Sequence, residues 1–590
     1  MTKTDYTTVT VNNGKNWNGT VSSNWNTAAN WTPAGVPNST DCVVIPVTAN
    51  NPIISGNNYN GLAGNLTVKN GATLTILTAN SLTVTNWVKV EPTGNFIIEN
   101  SASLLQVNND ANIGNITYKR TAQNIRNLDY VYWSSPVSNF NINSLVAPLV
   151  SGPIYTWNPT VANPNGGQGN WQGAAGSIMT AGKGYIARGP STFTSVGANL
   201  NATFVGVPNN GIITSPISRG SDTNTAFHTG LNGIEITNYS DNSNLLGNPY
   251  PSALRASQFL FDNNAKIEGN IRLWTHGTLP AQIANPFYDT FVYNYTAGDY
   301  FTYNFTGASC CPTAAADLFI GAGQGFFVEM KDGPAASNTV TFTNSMRNYT
   351  YSNSLFYRPG QTPVDVESIE RNRIWVDLID ANGNSDRTLV GYIEGATMDK
   401  DSFFDCKTST TAAMSVYSQI GTESFIIQGR ALPFEVTDEI PMGMHLPTAG
   451  SYSLAIAGVD GLFNTQNIYI KDNSLQLIHN LKTTPYQFAA EAGNCTNRFQ
   501  LVFTNGALGA SQFELNNSIS VIANQEIQIK SSNESLQSIV VYDVLGRKLY
   551  DNKQVNATQM SISQIQQNNT TLLVEITTQS GARIIKKIIY

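Results

Sequence analysis

The stretch NLTVKNGATLTILTANSLTVTNWVKVEPTGNFIIENSASLLQV, residues 65–107, decides the fold. Its apolar residues come in runs of three or four in which Leu, Val, Ile and Phe alternate with Thr, Asn and Lys. Asn-Gly and Thr-Gly turns separate the runs, which are too short and too regular at period two for helix. Leu82 and Val84 are followed 14 residues later by Phe96 and Ile98. That spacing predicts coils of a short parallel β-helix, each burying alternate side chains and stacking on the next. A meander of hairpins would give a similar text. Upstream, Trp17, Trp25 and Trp31 stand close together before a Pro37-Asn38 turn. They are expected to cap the open end of the core, with a sugar-stacking platform as the alternative. Residues 1–120 are thus read as a β-helix-like or β-meander domain.

Working outward, residues 121–348 hold an internal repeat. The first copy runs YWSSPV (132–137), IYTWNP (154–159), TAGKGYIARGP (180–190) and ATFVG (202–206). The second runs LLGNPYP (245–251), IRLWTHG (271–277), GAGQGFFVEM (321–330) and VTFTN (340–344). The order of features is the same in both, which predicts a duplicated β-sandwich module. The glycine turns AGKGY (181–185) and AGQGF (322–326) each lead into a strand. A phosphate cradle would need a helix there, so they read as tight turns. Residues 349–508 form a further β-sandwich domain, 509–518 a polar linker and 519–590 a small C-terminal β-sandwich. The fold class is all-β and multidomain.

Composition narrows the function. Apolar residues make up 41% of the 590, enough for several cores, while charged residues reach only 12%. The net charge is -7; seven basic and five acidic residues after position 519 give +2, leaving -7 - 2 = -9 for the rest. An acidic body without a basic stripe argues against nucleic-acid binding. No apolar run is long enough to predict a membrane-spanning helix. Cys42, Cys310, Cys311, Cys406 and Cys495 have no zinc-like spacing and are odd in number, and the adjacent Cys310 and Cys311 could bridge only under strain. They are expected to be small residues in or near β-cores. His228, His276, His445 and His479 are scattered, which disfavours a histidine metal site.

Asp380, Asn382, Asn384 and Asp386 alternate in a hairpin loop with a calcium-like spacing. Gly383 is out of place for a calcium loop and no bidentate Glu follows, so a plain turn is expected. The carboxylate pairs Asp401/Asp405 and Glu367/Glu370 lie on polar stretches and read as solvated loop charges. No Gly-x-Ser-x-Gly elbow is present. No active site is legible, and the chain is expected not to be an enzyme.

The last segment is different in character. LQSIVVYDVLGRKLYDNK turns at Gly546 with Arg547 and Lys548 on the return. TLLVEITTQSGARIIKKIIY (571–590) sets Lys586 and Lys587 among isoleucines, so at least one lysine must point outward. Edge protection by lysine is the bland reading. These residues resemble the C-terminal sorting domain of substrates of the Bacteroidetes type IX secretion system, in its type C variant. YWSSPV, LLGNPYPSAL, GQGFFVEM, LVGYIEGAT, QGRALPF and NRFQLVF resemble modules of large flavobacterial exported proteins.

The resemblance implies passage to the periplasm by a signal peptide and recognition by the outer-membrane translocon and its shuttle or sortase components. It also implies display on the cell surface or release. Gly546, Arg547, Lys586 and Lys587 match the motif and become the sorting candidates. No signal peptide is legible at the N-terminus, which suggests a fragment of a longer precursor. The expectation is an exported, adhesin-like surface protein with surface glycans as potential ligands. The alternative is a carbohydrate-binding accessory region of a larger secreted polysaccharide-degrading enzyme.

Overall fold

A computed structural model of the chain describes residues 14–145, 153–162, 168–221, 227–229, 235–237, 241–275, 300–309, 318–354, 370–408, 414–505, 518–532, 534–544, 546–579 and 583–590. Cys310, Cys311, His276 and Glu367 lie outside these residues. Nearly all regular structure is strand, with one short α-helix, Ala256–Asp262, among the described residues.

The opening stretch folds as a three-sided parallel solenoid. Gly14–Trp17, Cys42–Ile45, Asn65–Val68 and Val88–Val90 stack on one side. Ile53–Ile54, Thr73–Ile76, Asn95–Ile98 and Ile116–Ile125 stack on the second. Asn60–Ala63, Ser81–Val84 and Ser103–Gln106 form the third. Leu74 faces Phe96, Leu82 faces Leu104 and Leu66 faces Val88, so a coil is 22 residues (96 - 74), not 14. Leu82 and Phe96 therefore belong to different sides. Each coil carries a strand on every side, so runs close in sequence are neighbours around the coil rather than along the stack.

All of these inward residues are buried. Trp17, Trp25 and Trp31 close the first coil as a buried cluster, edge to face at 5.0 and 4.7 Å. At the other end Ile116–Ile125 takes Ala198–Gly206 as an antiparallel neighbour. The apolar core continues without a break past residue 120 through Trp133, Phe140, Tyr185 and Phe204.

The duplication is visible as topology. In the first copy the hydrogen-bonded order is Tyr130–Trp133, Tyr185–Arg188, Ile154–Ala162, Gln168–Gly173; in the second it is Ser243–Gly247, Gly325–Glu329, Ile271–Trp274, Tyr300–Asn304. The copies interlock through their glycine turns. Ser134 N donates to Gly323 O at 2.7 Å, and at the equivalent place Gly247 N donates to Gly182 O at 3.1 Å. Gly182 and Gly323 have φ of +80° and +71°, a conformation that favours glycine. The turns are joints between copies.

A strap, residues 343–354, runs over the third side of the solenoid. Arg347 is buried on the Tyr250 ring, 4.2 Å from its centroid, and reaches Gln106 O and Asn210 Oδ1. Asn353 donates to Ala102 O and Tyr118 OH, while its carbonyl accepts from Arg120.

Beyond residue 370 one continuous sheet runs through Glu439–Leu446, Ser415–Ile420, Glu423–Arg430, Ser385–Ile393, Arg371–Asp380, Gly450–Val459 and Tyr486–Ala490. The chain divides into two compact units, the second comprising 436–439, 467–480 and 500–590. Its last part packs a three-stranded sheet (Ile519–Ala523, Ile527–Ser531, Gln559–Ile562) on a four-stranded one. The latter has the order Lys548–Asn552, Leu536–Asp543, Thr571–Thr578, Arg583–Ile589.

Candidate functional site

The four sorting candidates sit on this four-stranded sheet. Strand alternation buries Ile539, Val541, Leu572, Val574, Ile576 and Ile584 against the other sheet. Asp543 ends its strand and makes the next turn: its carboxylate accepts from Arg547 N at 2.9 Å and Arg547 Nε at 2.6 Å. Gly546, at φ +77°, lets the chain reverse and donates to Asp543 O. Arg547 remains mostly exposed.

The register brings the turn and the final strand to the same end of the sheet. Lys548 lies opposite Tyr542, Tyr542 opposite Leu573, and Leu573 opposite Lys587. Three strand spacings set the two lysine positions about 14 Å apart. The adjacent lysines part company. Lys587 is exposed on the outer face, whereas Lys586 falls in the row of Val541 and Val574 and is half-buried at the margin of the core. The isoleucines part as well, with Ile584 buried but Ile585 and Ile589 59% and 68% exposed. Tyr590 is buried, its backbone N–H donating to Thr570 O and its hydroxyl to Gln525 O at 3.0 Å. The strand is thereby held extended to the last residue of the sequence.

Charge around this face is mixed. The Asp551 carboxylate 2.7 Å from Lys548 raises the lysine pKa, and the same contact lowers that of Asp551. Arg583 pairs with Glu575. Lys587 has no ion pair among the described residues.

Other sequence candidates fall elsewhere. Trp17, Trp25 and Trp31 present no face to a sugar: all are at most 1% exposed, and Trp17 and Trp31 spend their indole N–H on Asn50 O and Trp25 O. The cap reading describes them and the stacking reading is corrected.

Asp380 and Asp386, at the two ends of the alternating loop Asp380, Asn382, Asn384 and Asp386, turn to different partners. The Asp380 carboxylate accepts from Asn382 N, Asn384 N and Asn384 Nδ2 within its own turn, which lowers its pKa. Asp386 is drawn away to accept from Val416 N, and burial raises its pKa to about 6.

Asp405 is not a solvated loop charge. It is buried, accepts from Asp401 N and Gly429 N, and burial pushes its pKa up to about 7. Asp401 in turn accepts from Thr397 N, so the pair braces a loop rather than facing across a cleft. Cys42 and Cys406 are free thiols, and burial pushes the Cys406 pKa up. His445 Nδ1 lies 2.7 Å from Asn494 Oδ1.

One grouping was not legible. The central tryptophans of the two repeat copies, Trp157 and Trp274, enter a single aromatic cluster with Tyr132, Trp171, Tyr300 and Phe327. Tyr132 stacks on Trp274 at 5.8 Å, and Trp157 meets Trp171 edge to face at 5.1 Å. Trp157, Trp171 and Tyr300 are only half-buried. Matching tryptophans in the two copies were the available signal, but periodicity does not say that the two sheets face each other.

A family model described as Domain of unknown function (DUF8693) matches residues 16–503, and a second, Domain of unknown function (DUF8694), matches residues 508–590. No curated protein matches the chain.

Proposed function

The chain belongs to the DUF8693 family, whose match stops at residue 503 and leaves residues 508–590 as a part of their own; on that premise we propose that it is an exported surface protein whose final part is an address. In this reading the body is non-enzymatic and adhesin-like, and it reaches the surface through the periplasm. Residues 508–590 are read by the outer-membrane translocon of a type IX system. The observation that carries the reading is the basic, apolar end of the last sheet. Gly546 and Arg547 at one turn and Lys587 on the edge strand share that end, on a strand tied down to Tyr590. An ordered terminal strand with exposed apolar and basic side chains suits recognition by a partner. The test is export of a reporter bearing an ordinary signal peptide and residues 508–590 in a flavobacterial host. Dependence on the translocon supports the reading, and a folded fusion retained in the periplasm refutes it.

A second reading, carbohydrate binding by an accessory region, draws on the half-buried Trp157, Trp171 and Tyr300 and not on the buried solenoid cap. A glycan array on the whole chain separates the two readings. Selective binding lost in Trp171→Ala favours the second, and a blank array removes it.

A further inference from the structure

We propose that the outer face of the four-stranded sheet, from Lys548 across Tyr542 and Leu573 to Lys587, is a docking surface for an acidic protein segment carrying apolar side chains. This rests on the reading of residues 508–590 as a recognition element and adds the chemistry of what is recognised.

Three observations fix the occupant. First, the face is apolar where a solvated sheet is normally polar. Val540, Tyr542 and Leu573 are half-buried, and Ile585 and Ile589 are largely exposed. Apolar side chains left in water on one face mark an interaction site. Second, both ends of the central row are cationic. A second copy laid on the row in either direction would set lysine against lysine, which is unfavourable. Third, Asp551 and Glu575 are interleaved with the cations on the same face, Val540 lying opposite both. Asp551 is held by Lys548 and Glu575 by Arg583, so the face offers a uniformly anionic membrane little beyond the weak attraction of one lysine, Lys587. A segment with acidic groups at set intervals can meet Lys587 and avoid the two carboxylates.

The experiment uses the full chain and a fluorescein-labelled synthetic peptide of alternating glutamate and valine, read by anisotropy. A lysine–valine peptide of the same length and anionic phospholipid vesicles serve as comparison probes. The proposal expects saturable binding of the acidic peptide, weakened at least tenfold by Lys587→Glu and by Ile589→Ser. Ile522→Ser, on the other sheet and half-exposed, should leave it unchanged. All three positions are exposed at a sheet margin, and an unchanged circular dichroism spectrum checks the fold of each variant. No binding of the acidic peptide overturns the proposal. So does equal binding of the lysine peptide, indifference to Lys587→Glu, or binding to vesicles alone. Export of the reporter is scored separately: a fusion that is exported while the chain ignores the peptide refutes the docking chemistry and leaves the address reading standing.

Discussion

The interlock of the repeat copies can be broken on one side and spared on the other. An added Cβ at Gly184 would lie 2.4 Å from Leu246 O and 2.7 Å from Leu245 Cγ. That is roughly 1 Å inside the distance of about 3.3–3.6 Å at which carbon rests against a carbonyl oxygen. The obstacle is backbone, so the strand Ser243–Gly247 must move. At the equivalent Gly325 the nearest atoms are Tyr132 C and Cβ at 3.2 Å, which a shift of tenths of an ångström relieves. Overpacking costs about 1–3 kcal/mol, and losing the 2.9 Å bond from Gly184 N to Leu245 O adds about 1 kcal/mol.

Both substitutions gain roughly 0.4–1 kcal/mol from a stiffer unfolded chain. Gly184→Ala should therefore lose about 2–3 kcal/mol and Gly325→Ala close to none. A chain of this size is not a two-state unfolder, so a global midpoint is the wrong readout. Hydrogen exchange of the amides in Tyr130–Trp133 and Ser243–Gly247 reports the joint itself. Faster exchange confined to Gly184→Ala fits the interlock. Equal behaviour of the two variants would refute the reasoning, because the asymmetry of their contacts is its only premise.

Three further outcomes follow from single residues. Gln428 is fully buried with neither amide atom partnered among the described residues, so Gln428→Met should stabilise its sheet by about 1–2 kcal/mol, read as slower hydrogen exchange in Glu423–Arg430; faster exchange instead would mean that the amide has a role. Removing the Arg347 guanidinium strips partners from the Leu104 and Gln106 carbonyls, and Arg347→Met should cost about 2–4 kcal/mol, with faster exchange in residues 343–354; unchanged exchange would refute the strap as a brace. Asp405, raised to about 7 by burial, holds its proton in the folded state where the unfolded chain has released it. Its contribution to stability is therefore full below the unfolded value of about 3.9 and is lost as pH rises towards 7. Asp405→Asn should flatten the fall in stability between about pH 4 and about pH 7; an unaltered slope would assign it to other groups.

Much of the fold was readable because β-structure writes itself locally. Period-two alternation in residues 65–107 gave the strands, and shared order in 132–206 and 245–344 gave the duplication that the sheet orders reproduce. The length of the solenoid coil was not readable from one pair of strands, since 14 residues carries the chain around a corner and only 22 returns it to the same side. Long-range pairing also hid the aromatic cluster, whose members come from six strands of two copies. At the last sheet, alternation alone could say that one of Lys586 and Lys587 points outward. Which one depends on the register with Thr571–Thr578, and that register is set by the packing of Ile584 and Val574. Asp405 read as exposed beside the charged run Asp399, Lys400 and Asp401, yet it follows Phe403 and Phe404, and Gly429 N, from a distant strand, holds it inside.

The central claim is that residues 508–590 act as an address, and export of the signal-peptide reporter, with and without residues 583–590, tests it most directly. Removing Arg583–Ile589 and Tyr590 exposes the other edge of Thr571–Thr578 and the core around Ile576. The same assay is therefore run with the folded variant Lys587→Glu. The account predicts translocon-dependent export of the intact fusion, its loss on truncation and its reduction in Lys587→Glu. An intact, folded fusion that stays in the periplasm would contradict it and return the lysines to edge protection.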